Sequence, residues 1–246
     1  MCGIAGIISE NDVDINFFNN LLLSTMERGE DATGIWTEQT GVIKDGIRAT
    51  AFIQKYKKDY STKTNIIIGH CRKSSGSKAD NNNNNHPFED TKGILIHNGS
   101  VDRMDKIEDY IYKGDCDSEV LLSHITTNGI PNGLKEVQGS AAVAYINNTN
   151  KSEIFLWRDT NPIVVAFNIK TKTIVFASTE EIIQNSLPSI FGLFTSPLWL
   201  FKKLPEYAVY KVGINLGKLY MNKVAFIKPE FKPYVWKGHK SSYHGI

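Results

Sequence analysis

Met1-Cys2-Gly3-Ile4-Ala5-Gly6-Ile7-Ile8 opens the chain: an isoleucine-rich apolar run with a thiol at its head and glycine at positions 3 and 6. At this length and composition it reads as a buried strand. It lacks the basic opening of a secretory signal, and its apolar stretch is short for one. Removal of Met1 is expected because cysteine is a small second residue, and it would leave Cys2 with both a thiol and a free α-amine. An α-amine titrates at roughly pH 8, near enough to neutrality to take the thiol proton in place of a histidine. Nucleophile and base would then belong to one residue. The plain alternative is a small cysteine buried for packing, a common role for this side chain.

Comparable apolar runs recur at residues 65–71, 93–97, 140–146, 153–157, 163–167 and 173–177, separated by Gly, Asn, Asp or Lys as strands are. Ile15, Phe18, Leu22 and Met26 fall at helical spacing, with Asp14 placed to cap that helix and Gly29 to stop it. Val120, Leu121, His124 and Ile125 predict a second helix entered at Asp117 or Ser118. Ser178 followed by Glu181 forms a capping box ahead of a third. Seven or more strands with grouped helices predict a layered α+β fold rather than a doubly wound one. Asn81–Asn85, five consecutive asparagines, has nothing to bury and reads as a mobile loop.

Composition narrows the function classes. The 246 residues are 41% hydrophobic and 22% charged, with a net charge of +2 that gives no pull toward nucleic acid or membrane. No run of eighteen apolar residues occurs, so no transmembrane helix is expected. Cys2, Cys71 and Cys116 make an odd count without C-x-x-C spacing, which argues against a disulfide framework or a zinc site. A reducing, cytoplasmic setting follows, and no metal or cofactor is expected.

Three segments supply what a thiol attacking an amide needs. In His97-Asn98-Gly99, a side-chain amide and a backbone N–H make a pair of neutral donors for a tetrahedral oxyanion; the alternative is an ordinary Asn-Gly turn. Gly69-His70-Cys71-Arg72 brings an arginine, the natural clamp for a carboxylate, to the end of a buried strand. His70 and Cys71 are neighbours on that strand and point to opposite faces, so they make no thiol–imidazole pair. Asp115-Cys116-Asp117-Ser118-Glu119 opens a helix, where an acid either caps or binds an ammonium. Together these groups fit a zwitterionic amino acid with a side-chain amide, and glutamine fits.

With these segments in hand, the chain resembles the class II glutamine amidotransferases, the N-terminal-nucleophile glutaminase family. The resemblance rests on Met1-Cys2-Gly3-Ile4-Ala5-Gly6-Ile7, Arg28-Gly29-Glu30-Asp31-Ala32-Thr33-Gly34, Gly69-His70-Cys71-Arg72, His97-Asn98-Gly99 and Asp117-Ser118-Glu119-Val120. Arg158-Asp159 with Pro162, and Phe176-Ala177-Ser178, extend it to about residue 225. It implies a four-layer αββα sandwich over residues 1–225, with 226–246 a C-terminal arm, and a thioester on Cys2. By the same resemblance Asn98 and Gly99 form the oxyanion hole, Arg72 holds the substrate carboxylate and Asp117 its amine, and Arg28, Gly29 and His97 help position the nucleophile. The family often carries aromatic-Ala-Thr-His after the arginine, where this chain has Lys73-Ser74-Ser75-Gly76; Ser75 keeps a hydroxyl for the carboxylate. His86-Pro87 resembles a family segment of structural role.

Family members usually deliver ammonia to a synthase. The match uses nearly the whole chain and no phosphate-binding glycine loop is present, so a separate synthase partner is expected. In the arm, Phe231, Tyr234 and Trp236 interleave with lysines; packing on the domain is favoured over stacking on nucleic acid. Two other readings stand: an N-terminal-cysteine amidase for a different amide, which would not need both Arg72 and Asp117, and a catalytically retired interaction module.

Overall fold

Every residue of the first strand, β1 (Gly3–Ser9), is buried, as in a strand covered on both faces. The computed structural model describes residues 1–60, 63–187 and 198–230, and among them β1 is the centre of a seven-stranded sheet. Its antiparallel neighbours are β10 (Thr173–Ala177) and β4 (Ile66–Arg72). Beyond β4 lie β2 (Ala32–Thr37) and the edge strand β3 (Gly41–Asp45); beyond β10 lie β9 (Val164–Asn168) and the edge strand β11 (Trp199–Lys203). A second, six-stranded antiparallel sheet runs β13 (Lys218–Phe226), β12 (Ala208–Asn215), β8 (Asn150–Arg158), β7 (Ser140–Asn147), β6 (Gly93–Ser100), β5 (Phe88–Glu89).

Side chains alternate along a strand, so parity sorts the core into three layers. Ile4 and Ile8 of β1, Ile66 and Ile68 of β4, and Ile94 and Ile96 of β6 meet in one buried cluster between the sheets. The opposite face of the first sheet, through Ala5, Ile7, Ile67 and Val175, packs on Phe18 and Leu22 of α1 (Ile15–Thr25), Phe52 of α2 (Ala49–Tyr60) and Ile182 of α4 (Glu180–Ser186). The outer face of the second sheet, through Leu95, Val143 and Tyr145, packs under Val120, Leu121 and Ile125 of α3 (Asp117–Lys135). Each such side chain contributes about 1.5–3 kcal/mol on burial, and the result is the αββα sandwich.

The first helix starts as expected: Asp14 Oδ1 accepts from the N–H groups of Asn16 and Phe17 at 2.9 and 3.2 Å. It passes into a 3₁₀ turn at Met26–Arg28 and stops at Gly29, whose backbone is extended. Glycine is needed there for close approach, because a Cβ would fall 2.3 Å from the Arg72 carbonyl carbon. α3 begins at Asp117, with a kink at Gly129.

Three expectations are corrected. The cap of α4 is Thr179, which accepts from the Ile182 N–H, rather than Ser178. The Ser178 hydroxyl instead accepts from the Ile4 N–H at 3.0 Å and so locks β10 to β1. The lysine-rich α2 was not anticipated; it is anchored by few apolar positions, chiefly Phe52 and Tyr60. The asparagine tract is ordered: Asn82–Asn84 is a 3₁₀ turn, and Asn84 and Asn85 are buried. Their amides replace apolar packing with hydrogen bonds, Asn84 to Lys78 O and Asn85 to Ala79 O.

Past β13, Trp157 Nε1 donates to Ile227 O and Gln138 Nε2 to Glu230 O. The rings expected at Phe231, Tyr234 and Trp236 lie outside the described residues.

Candidate active site

Register and parity decide which side chains meet at one end of the inter-sheet layer. Gly3 pairs with Cys71 and Ile4 with His70, so Cys2 falls opposite Arg72 where both strands end. Cys2 shares parity with Ile4 and Ile8, Arg72 with Ile66 and Ile68, and Asn98 with Ile94 and Ile96, all residues of the inter-sheet cluster. The His70 ring nitrogen Nε2 lies 3.1 Å from His97 O, which sets the Asn98 end of β6 over the Arg72 end of β4. Cys2, Arg72 and Asn98 therefore converge. Cys71 faces the other way, its thiol donating to Leu22 O, and burial pushes its pKa far up.

The Cys2 thiol donates to Lys73 O at 3.5 Å. Burial pushes its pKa above the ordinary thiol value, against the pull of the Lys73 backbone, the amino-terminal charge and Arg72; Asp117 adds to the rise. Both Arg72 and Asp117 thus lie close enough for their charges to act on the thiol. A thiol raised in this way is protonated at neutral pH and needs a base before it can attack.

The segment Arg28–Asp31 grips this end from both sides. Arg28 Nε donates to Cys2 O at 2.9 Å and its Nη2 to Met1 Sδ at 3.5 Å. The Asp31 N–H donates to Arg72 O at 2.9 Å, and its carboxylate accepts from the Ser74 N–H at 2.7 Å. One short loop thereby fixes the strand that carries Cys2 and the segment that follows Arg72.

Arg72 is buried. Its Nη1 donates to Asn85 Oδ1 at 2.9 Å, and its Nη2 to Ser77 O and Oγ at 2.9 and 2.6 Å. A guanidinium has five N–H donors, so those three bonds leave two. Asp117 Oδ2 accepts from the Val101 N–H at 2.7 Å. Ser75 is exposed, whereas the Ser74 hydroxyl is buried without a hydrogen-bond partner among the described residues. Sequence reasoning missed Asn85 and Ser77, which hold the guanidinium; a polar tract thirteen residues from Arg72 carries no local sign of that role.

Asn98 Nδ2 is likewise buried and unpartnered among the described residues. Leaving such a donor unmet costs about 1–3 kcal/mol, and orphans of this kind are kept where they serve a ligand. Gly99 has φ +156°, and a Cβ there would fall 1.8 Å from Ser140 O, so no other residue fits. His97 faces away from Cys2, toward α3: Nδ1 lies 2.9 Å from Ser118 Oγ and Nε2 3.4 Å from Ser140 O. A neutral ring accepting at Nδ1 and donating from Nε2 satisfies both contacts, and burial lowers its pKa accordingly.

His97 lies in a cluster of buried imidazoles with His70 and His86. The His86 ring stacks on His70 with centroids 3.8 Å apart. Burial pulls His70 down to about 3 and His86 well below its ordinary value. The unfolded chain binds protons at these histidines from about pH 6.5 downward while the folded chain does not, so stability should fall as pH falls through this window. The slope approaches about 1.4 kcal/mol per pH unit for each histidine. Urea melts at pH 7.5, 6 and 5 should show a steadily lower midpoint; an unchanged midpoint would contradict neutral burial of the cluster.

Among the described residues no group of three or more His, Cys, Asp or Glu is arranged to hold a metal ion, and no helix is long and apolar enough to cross a membrane.

Residues 70–185 match the family model for the glutamine amidotransferase domain. A probable glutamine–fructose-6-phosphate aminotransferase (isomerizing) of Acanthamoeba polyphaga mimivirus is 27% identical over 254 aligned positions, which cover 90% of this chain and 41% of that protein. The glutamine–fructose-6-phosphate aminotransferase of Shouchella clausii is 27% identical over 187 positions, 67% of this chain and 30% of the relative. The chain thus spans less than half the length of these relatives. Among solved structures, the glutamine phosphoribosylpyrophosphate amidotransferase of B. subtilis superposes with a TM-score of 0.65 at 19% identity, covering 90% of this chain and 49% of the other. A glutamine aminotransferase class-II domain protein from Silicibacter pomeroyi gives 0.54 at 14%, covering 91% and 100%. Residues 70–185 thus resemble the glutamine amidotransferase domain, and the chain shares the fold of the glutamine phosphoribosylpyrophosphate amidotransferase of B. subtilis.

Proposed function

We propose that the chain, freed of Met1, hydrolyses glutamine to glutamate and ammonia through a thioester on Cys2 and passes the ammonia to a synthase on a separate subunit. The observation that carries this reading is Asn98 Nδ2, a buried donor without a partner among the described residues, facing the layer into which Cys2 opens. An amide oxygen arriving there would complete it, and would gain most as it becomes an oxyanion.

The steps follow from the groups present. The α-amine of Cys2 takes the thiol proton, and the thiolate attacks the carboxamide carbon. The oxyanion accepts from Asn98 Nδ2 and the Gly99 N–H. The protonated amine returns its proton to the departing nitrogen, the C–N bond breaks, and ammonia leaves behind a glutamyl thioester. Water, deprotonated by the same amine, attacks the thioester and releases glutamate and the thiol. Arg72, with its two remaining donors, and Ser75 meet the α-carboxylate, and Asp117 meets the α-ammonium. Arg28 holds the Cys2 carbonyl, Gly29 admits the close approach of strand β4, and His97 braces the oxyanion strand against Ser118.

The requirement for both Arg72 and Asp117 separates this reading from an amidase for another amide. A retired module is disfavoured because an orphaned amide with no ligand to serve would be lost to a better-packed residue. Three free thiols suit a reducing, cytoplasmic compartment. The reading is tested with a diazo ketone analogue of glutamine on processed protein. Mass spectrometry should find the label on Cys2 alone, and glutamine should protect against it. Label on Cys71 instead would refute the assignment.

A further inference from the structure

The peptide that joins Asn98 to Gly99 is held from behind. Asn161 Nδ2 donates to Asn98 O at 2.9 Å and lies 3.3 Å from Ser140 Oγ. That carbonyl belongs to the same peptide unit as the Gly99 N–H, and in a trans peptide the two point in opposite directions. A donor on the carbonyl therefore sets the direction of the N–H and, by polarising the amide, makes it a stronger donor.

Asn161 is itself well fixed. The carboxylate of Asp159 accepts from the backbone N–H groups of Ala141, Thr160 and Asn161. Arg158 Nη1 donates to Thr160 O and Asn161 O at 3.1 and 3.2 Å, while its Nε donates to Leu204 O and its Nη2 meets Glu206. The turn from β8 to β9 is thus a hydrogen-bonded knot whose one outward-reaching amide lies on the Asn98 carbonyl. Arg158 and Asp159, which take no part in the steps above, acquire a purpose: they hold Asn161 in place.

We infer that Asn161 is a positioning residue for the oxyanion hole, orienting and polarising the Asn98–Gly99 peptide from the side away from the substrate. This rests on the glutaminase reading of the site. It predicts a loss confined to the step in which the oxyanion forms. Asn161→Ala in processed protein should lower kcat for glutamate release on the order of 10-fold to 100-fold, part of the loss from deleting an oxyanion donor outright, with KM within about twofold. Asn161→Asp places lone pairs against the Asn98 carbonyl and should be worse than alanine. Alkylation of Cys2 by iodoacetamide, which forms no oxyanion, should proceed at the wild-type rate in both variants.

A readout independent of turnover is the Gly99 amide ¹⁵N resonance, which should move upfield in Asn161→Ala as the carbonyl loses its donor. Unchanged kcat with an unmoved Gly99 resonance would overturn the inference and leave the glutaminase reading intact. Parallel losses in kcat, Cys2 alkylation and thermal stability would also overturn it, marking Asn161 as merely structural. Wild-type protein that releases no glutamate would overturn the glutaminase reading and this inference with it.

Discussion

Cys2→Ala should abolish glutamate release, by a factor on the order of 10⁴ or more, because nothing else at the site can form the covalent intermediate. The other two cysteines cannot substitute. Cys71 points into the helical layer and donates to Leu22 O, and Cys116 has its thiol pKa raised by burial and by Asp117. Protein that keeps Met1 should be nearly as inactive as Cys2→Ala. The burial-raised Cys2 thiol stays protonated at neutral pH, and with Met1 attached its own nitrogen is an amide that cannot accept a proton. The comparison needs three preparations: processed, Met1-retaining and Cys2→Ala, each checked by intact mass and assayed for glutamate. Full activity in the Met1-retaining form would remove the amine from the mechanism.

Asn98→Ala should lower kcat by about 10²–10³-fold, equivalent to about 2.7–4 kcal/mol of transition-state stabilisation, with a small change in KM. The effect falls on kcat because the amide meets the oxygen most strongly once it carries charge. The same substitution should leave thermal stability unchanged or slightly raised, since it removes a buried donor that has no partner among the described residues. Activity and stability would then move in different directions, the signature of a group kept for a ligand. A large drop in melting temperature would show instead that Asn98 is part of the core.

Much of this was legible from residue order. Period-two alternation in β1, β4 and β6 is enough to put Cys2, Arg72 and Asn98 on the same face as the isoleucines that fill the inter-sheet layer, and Asp14 caps the first helix as its position suggested. What could not be read depends on contacts distant in sequence. Five asparagines look solvated by composition, yet Asn85 is buried as a ligand for Arg72. Ser178 and Thr179 are adjacent hydroxyls, and only the β1–β10 pairing decides that the second caps α4 while the first binds the Ile4 N–H. That the Ser74 hydroxyl is buried while its neighbour Ser75 is exposed is likewise set by the fold and not by the local sequence. The link from Asn161 to Asn98 spans 63 residues and joins the turn after β8 to strand β6, so no local pattern announces it.

The thioester itself is the most direct object to look for. Processed wild-type protein mixed with glutamine and quenched in acid within milliseconds should yield an amino-terminal peptide bearing one glutamyl group on Cys2, formed at least as fast as steady-state turnover and absent in Cys2→Ala. Turnover that proceeds with no glutamyl adduct on Cys2, or with the adduct on another residue, would contradict the account.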